Sequence, residues 1–181
     1  MQSFSYGKYL PIGKVECVVE NLDRWGVDEI VLQVIDRGKT ASGLDFDLLK
    51  KVVSSGISTP ITYAGGINTV QQAVDIIRAG ADRVCVDALL HDNPGEVRAI
   101  ALKLGAQAVV GSFPLLLVND KLVWVDYRTG KNAGLDETII SLVADSAISE
   151  ILLIDKIHEG HRNSFNFKLI EFFKDIKAPL I

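Results

Sequence analysis

Apolar residues along this chain alternate between short continuous runs and stretches in which they recur every three or four positions. Continuous runs mark strands buried on both faces, and the three-to-four period marks helices that bury one side. Ile12, Val15, Val18, Val19 and Leu22 carry helical spacing in a segment that begins at Pro11 and Gly13 and ends at Gly26. Asp28 to Asp36 (DEIVLQVID) predicts a strand, and the loop RGKTASG leads to a helix over about 45–53. The stretch TPITYAGGINTVQQAVDIIRAGADRVCVD, Thr59 to Asp87, then reads as strand, Gly-Gly turn, amphipathic helix and strand, the order of a βαβ unit.

Beyond Asp87, Asn93 is placed as an N-cap, Pro94 at the first helical position and Gly105 past the end. Residues 106–118 predict a strand, and Asn119-Asp120 followed by KLVWVDYR predicts a hairpin extension. A helix over about 136–144, a strand over 150–156 and a helix over about 166–173 follow, and Pro179-Leu180-Ile181 starts another strand. Residues 1–11 show no periodicity. Six strand starts alternating with six helices predict an all-parallel α/β architecture, either an open doubly wound sheet or a βα barrel.

An internal repeat favours the barrel. Residues 29–52 (EIVLQVIDRGKTASGLDFDLLKKV) align without gaps on 150–173 (EILLIDKIHEGHRNSFNFKLIEFF), matching Glu29 with Glu150, Leu32 with Leu153 and Leu48 with Leu169. Further on, Thr59-Pro60-Ile61 meets Ala178-Pro179-Leu180. The repeat spans four βα units, and a duplicated four-unit half implies a parent of eight, the (βα)8 TIM barrel.

Composition narrows the partners. The 181 residues suit one domain, and 48% hydrophobic content with mean hydropathy +0.24 supplies a core. Nineteen basic residues against 23 acidic, without a basic run, argue against nucleic acid or an anionic membrane surface as the main partner. No apolar run approaches the ~18 residues of a membrane span. The opening MQSFSYGKYL lacks the regions of a signal peptide, so a cytoplasmic protein is expected. Cys17 and Cys85 are expected to be core thiols.

Candidate chemistry gathers at strand ends. Gly65 and Gly66 follow a strand and precede Asn68 as the expected N-cap, so free N–H groups and a helix dipole worth ~0.3–1 kcal/mol are available to a phosphate. The same glycines also suit a plain tight turn. In a barrel the loop from Asp36 to Asp45 lies at the C-terminal face, where Asp36, Arg37, Thr40 and Ser42 can reach a ligand. Arg37 offers a cation for a second anion, or is an exposed loop residue. His158, Glu159 and His161 form an H-E-x-H cluster without the i, i+4 helical spacing of zinc proteases, and neither a metal nor a cofactor is expected. Asp36, Asp87 and Asp155 end strands, where a carboxylate serves proton transfer or only anchors a loop.

The ordered set VDEIVLQVID, IDRGKTASGLD, TPITYAGGI, AGADRVCVDALLHDNP, GAQAVVGS, YRTGKNAG and ISEILLID resembles the cyclase subunit of imidazole glycerol phosphate synthase and its paralogues, two-fold repeated phosphate-binding barrels of histidine biosynthesis. The resemblance covers nearly the whole chain. It implies a chain running from the loop after strand one into strand seven, a single incomplete domain over 1–181 with strand one, most of strand seven and strand eight missing. Unpaired strand edges then lead one to expect association or poor solubility.

The resemblance also implies a site. One phosphate would be held by Gly65, Gly66, Asp87 and Ala88, although members of the family have Asn and Thr at the last two positions. Family catalysis uses an Asp on strand one and another on strand five, and the ungapped match over 107–134 puts Pro114 at the second. Gln33 stands where members commonly have Asp. The implied partners are a glutaminase that supplies ammonia and a phosphorylated acceptor, in histidine synthesis or, in a divergent paralogue, a nucleotide-linked sugar of surface polysaccharide. The alternative is a non-catalytic phosphate-binding scaffold that docks a glutaminase.

Overall fold

The computed structural model describes the chain apart from residues 1, 5, 6 and 37–42, so Arg37, Thr40 and Ser42 lie outside the described residues. Five strands run parallel in the order β3 (Ile30–Gln33), β4 (Ile61–Ala64), β5 (Arg83–Val86), β6 (Val109–Val118) and β9 (Glu150–Asp155). Leu180 adds a parallel bridge to Ile151. Helices α1 (Val15–Arg24), α2 (Phe46–Val53), α3 (Val70–Arg78), α5 (Pro94–Leu104) and α6 (Glu137–Ala144) separate the strands. These are the alternating strand and helix units of a (βα)8 TIM barrel. Among the described residues no hydrogen bonds close the sheet.

The repeat is visible in backbone geometry. Ile30 N–H donates to Pro60 O at 2.9 Å, and the matching Ile151 N–H donates to Pro179 O, also at 2.9 Å. Ile61 pairs with Ile30 as Leu180 pairs with Ile151. Two halves of the sequence thus open their strand pairs with the same contact.

Alternation along each strand separates two faces. Leu32, Tyr63, Val84, Phe113 and Ile151 face the helices and join one large core with Leu49, Ile76, Ile100, Leu142 and Leu169. The opposite face holds a much smaller cluster of Ala64, Cys85 and Val110, packed by Val31 and Leu152. Burial pushes the Cys85 thiol well above its ordinary range, which keeps it neutral.

Below the small cluster, at the N-terminal strand ends, one guanidinium bridges two carboxylates. Arg83 Nη1 reaches Glu29 at 3.1 Å and Glu150 at 2.9 Å, Nη2 donates to Ser149 Oγ at 2.9 Å and Nε to Gln107 O at 3.0 Å. Thr62 Oγ1 donates to Glu29.

β6 is long because it serves two structures. Residues 109–115 pair with β5 and β9, whereas Leu115 to Val118 pair antiparallel with β7 (Lys121–Val125), which in turn pairs with β8 (Asn132–Gly134). Asn119 and Asp120 make the turn at φ 50° and 58°, the predicted hairpin.

Several expectations are corrected. α1 begins at Val15, since Gly13 at φ 137° interrupts the helical path and leaves Ile12 54% exposed. Cys17 is exposed on α1 and is not a core thiol. The first residues contain a small antiparallel ladder, β1 (Gln2–Phe4) with β2 (Lys8–Leu10), which its polar composition concealed. Residues 106–108 form a 3-10 turn before β6, and the last helix, α7 (Lys168–Glu171), has only four residues. A short helix, α4 (Ala88–Asp92), follows β5 unforeseen. Among the described residues no helix is long and apolar enough to cross a membrane.

Candidate functional site

The C-terminal ends of the parallel strands surround a cavity of about 320 Å³. Its wall includes Gln33 at the end of β3, Gly65 and Gly66 after β4, Asp87 and Ala88 after β5, and Ser112 on β6, which brings together five of the sequence-predicted positions. Tyr127 and Arg128, carried over by the β7 extension, and Lys156 after β9 complete it.

The glycine loop is built by close approach. Gly65 has φ 124°, and a Cβ there would lie 2.3 Å from Val34 O, so only glycine lets β3 and β4 end side by side. Gly66, at φ 72°, continues the turn. Thr69 rather than Asn68 caps α3, its Oγ1 accepting from Gln72 N–H at 3.2 Å. Asn68 instead donates through Nδ2 to Gly66 O at 3.1 Å and bonds Gln72 Oε1 through its N–H at 2.7 Å. Glu96 Oε1 accepts from Val70 N–H at 2.6 Å, so the helix start is partly satisfied from within. By contrast, the N–H groups of Gly65, Gly66 and Ile67 find no acceptor among the described residues. The loop, more than the helix end, offers free donors.

Ser112 is one of the residues that sequence reasoning missed, with Tyr127, Arg128 and Lys156. It is 3% exposed, lines the cavity, and its Oγ has no hydrogen-bond partner among the described residues. A buried hydroxyl without a partner is costly, and a ligand group in the cavity would satisfy it. Strand parity held the signal, since Ser112 lies two residues before Pro114 on the same strand.

Asp87 faces the cavity while Trp124 Nε1–H donates to its Oδ1 at 3.1 Å. Burial pushes the Asp87 carboxyl up to about 7, against the Trp124 hydrogen bond and with the help of Asp126. Trp124 is 2% exposed and stacks on His91, the ring centroids 3.6 Å apart at 26°. Burial likewise holds His91 below its ordinary range, and its Nε2 has no partner among the described residues. Tyr127 is pushed up to about 12 by burial. Arg128 is gripped by Asp92 and Asp126 in a double fork, with Nη2 to Asp92 Oδ1 at 2.9 Å and Nε to Asp126 Oδ1 at 2.9 Å.

The remaining candidates fall elsewhere. Pro114 is buried within β6 opposite Ile154, so no carboxylate stands at that position or at its partner, and Asp155 pairs with the next residue, Leu115. Asp36 is exposed and does not line the cavity. Asp155 lines a separate hollow of about 260 Å³ with His158, Glu159 and His161. Its carboxylate accepts from the N–H groups of Ile157 at 3.2 Å, His158 at 3.3 Å and Asn166 at 2.7 Å, and contacts His158 Nδ1 at 2.7 Å. Glu159 accepts from Ser3 Oγ at 3.0 Å and His161 packs edge-on against Phe4. Among the described residues no group of three or more His, Cys, Asp or Glu side chains is placed to hold a metal.

Residues 12–181 match the family model described as "Histidine biosynthesis protein". The chain is 28% identical over 183 residues to a protein of Vibrio vulnificus strain YJ016 named putative imidazole glycerol phosphate synthase subunit hisF2, covering 100% of this chain and 67% of the relative. Imidazole glycerol phosphate synthase subunits HisF of Dictyoglomus thermophilum and Metallosphaera sedula are 28% and 33% identical, over 88% and 86% of this chain and 64% and 62% of their own lengths. The chain thus spans about two thirds of the length of these relatives.

Proposed function

Because the chain belongs to the histidine biosynthesis protein family, we propose that it is a synthase-type barrel subunit that uses ammonia from a glutaminase partner on a phosphorylated acceptor. The observation that carries this reading is the cavity itself, where unpartnered N–H groups of Gly65, Gly66 and Ile67 share a wall with the unpartnered Ser112 hydroxyl. Backbone donors that approach closely suit a phosphate group, and a buried hydroxyl suits a polar substituent further along the same molecule. Residues 1–181 act as one domain in this proposal, supported by a continuous core that runs from Val19 to Phe173.

The acceptor is that of histidine synthesis or that of a divergent paralogue, and three residues favour the second. Asp87 and Ala88 stand where the resemblance leads one to expect Asn and Thr, and Pro114 stands where it leads one to expect Asp. A paralogue that amidates a surface-polysaccharide sugar, with a nucleotide-linked acceptor, accommodates those changes.

Pro114 also favours a second reading, a non-catalytic barrel that binds phosphate and docks a glutaminase. Calorimetry with glycerol 3-phosphate tests the shared part: binding is expected in the wild type and weaker by about tenfold in Gly66→Ala, which strains the loop. Incubation with ¹⁵N-ammonium and a panel of phosphorylated and nucleotide-linked acceptors separates the two. Label in a product supports the enzyme; phosphate binding with no labelled product across the panel leaves the scaffold.

A further inference from the structure

Asp87 lies two residues past Cys85 of β5, and Gly66 lies two residues past Ala64, the residue paired with Cys85. The carboxyl and the glycine loop therefore share one rim of the cavity. An ionised carboxylate at that rim repels any anion held by the Gly65 to Ile67 N–H groups. The surroundings favour the neutral form instead. Trp124 Nε1–H makes the carboxyl's one hydrogen bond among the described residues, to Oδ1, and leaves Oδ2 open. Arg128 does not form an ion pair with it, because Asp92 and Asp126 occupy that guanidinium from both sides.

Among the described residues no other titratable group forms an ion pair with Asp87. Cys85 on β5 is held neutral, His91 on α4 is held toward its neutral form, and Tyr127 stays protonated at physiological pH. Asp92 and Asp126 push Asp87 toward protonation. Lys156 and Tyr9 line the cavity without an ion pair or hydrogen bond to Asp87. With a carboxyl that changes state at about 7, the charge of the rim is decided by what binds.

We propose that Asp87 belongs to the anion site as a protonated carboxyl, its Oδ2–H donating to an oxygen of the bound phosphate while Trp124 holds Oδ1, so that anion and proton bind together. This rests on the phosphate-binding reading of the glycine loop and adds to it a proton-bearing ligand on the neighbouring strand. The site then takes oxyanions freely while Asp87 is neutral. Above pH 7 it must draw a proton from solvent for each anion bound, and affinity falls.

Sulfate is the suitable probe, because its charge is constant between pH 5.5 and 8.5 and any pH dependence belongs to the protein. Titration calorimetry is expected to give a nearly level affinity below about pH 6.5 and a fall approaching tenfold per pH unit above about 7. Repeating the titration at pH 8 in buffers of different ionisation heat is expected to show about one proton taken up per sulfate. Asp87→Asn, which keeps a neutral donor, is expected to bind at pH 8 as the wild type binds at pH 6. Any rise at the acid end that this variant retains belongs to His91. Trp124→Phe is expected to move the fall to higher pH, since the lost N–H favours the ionised form.

A wild-type affinity that stays level across the range, or an Asp87→Asn variant that keeps the same fall, would overturn the proposal while leaving the glycine-loop site intact. Absence of sulfate binding in both the wild type at pH 5.5 and a folded Asp87→Asn would remove the phosphate site itself. Near-ultraviolet circular dichroism confirms that the variants are folded.

Discussion

Asp87 and Asp155 end parallel strands of one sheet, yet their environments are opposite. Asp155, 5% exposed, has its oxygens filled by three backbone N–H groups and the His158 ring. Burial pushes its carboxyl up, but the Asn166 N–H and His158 outweigh that and hold it below the ordinary range. Among the described residues Asp87 has a single indole partner and no cation of its own, and a cavity lies in front of it. One carboxylate stitches a loop to a strand; the other is kept underbonded beside free N–H donors. Saturated polar groups hold the fold, and undersaturated ones at the strand C-terminal ends mark where a ligand completes the structure.

The largest expected effect breaks that contrast at Asp87. A carboxyl with a folded value near 7 and an ordinary value of 3.8 binds its proton more readily when folded, so stability is lost as pH rises from about 4 to 7 and the full cost stands above 7. Asp87→Asn should therefore be more stable than the wild type at pH 8, by on the order of 2–4 kcal/mol, with the gap vanishing near pH 4. Urea unfolding at the two pH values measures it.

Asp155→Ala should act in the reverse sense. It removes the acceptor of three N–H groups and is expected to cost about 2 kcal/mol at pH 7 while leaving sulfate affinity unchanged. The stabilisation from a depressed carboxyl is present above its ordinary value and is lost as pH falls through its folded value, so this variant should converge on the wild type in acid. Equal losses at pH 7 and in strong acid would show that the carboxylate charge is not what anchors the loop.

Arg83→Met probes the opposite end of the strands, where Glu29 and Glu150 would be left facing each other without their cation. The three side chains are partly open to solvent, at 16%, 25% and 28% exposure, which limits the expected cost to about 1–2 kcal/mol. The smallest effect is expected from Trp124→Phe, which keeps a ring over His91 and removes one N–H, for about 1 kcal/mol in thermal unfolding.

Much of this was legible in the residues. Asn93, Pro94 and Gly105 mark α5 from cap to end, and Asn93 Oδ1 accepts from Glu96 N–H as the spacing predicts. Gly65 and Gly66 announce the loop, and the repeat from Glu29 and Glu150 reappears as matching hydrogen bonds. The N-cap of α3 was misplaced by one residue, because Asn68 and Thr69 are both good caps and only the turn geometry chooses between them. Ser112, Tyr127 and Arg128 were not recognised as site residues, since which side chains enter the cavity depends on how β7 folds back over β6. Asp87 stands out in the sequence only as a departure from the family's Asn, because a sequence shows a carboxylate's identity but not its burial.

The order of buried runs, amphipathic periods and turn residues is local information, and it determined the parallel α/β units, the hairpin turn and the glycine loop. Tertiary structure decided which strand ends share a cavity, which carboxyl is saturated and which is left open. Burial and pairing across elements set those charges, and neither is contained in any one stretch of the chain.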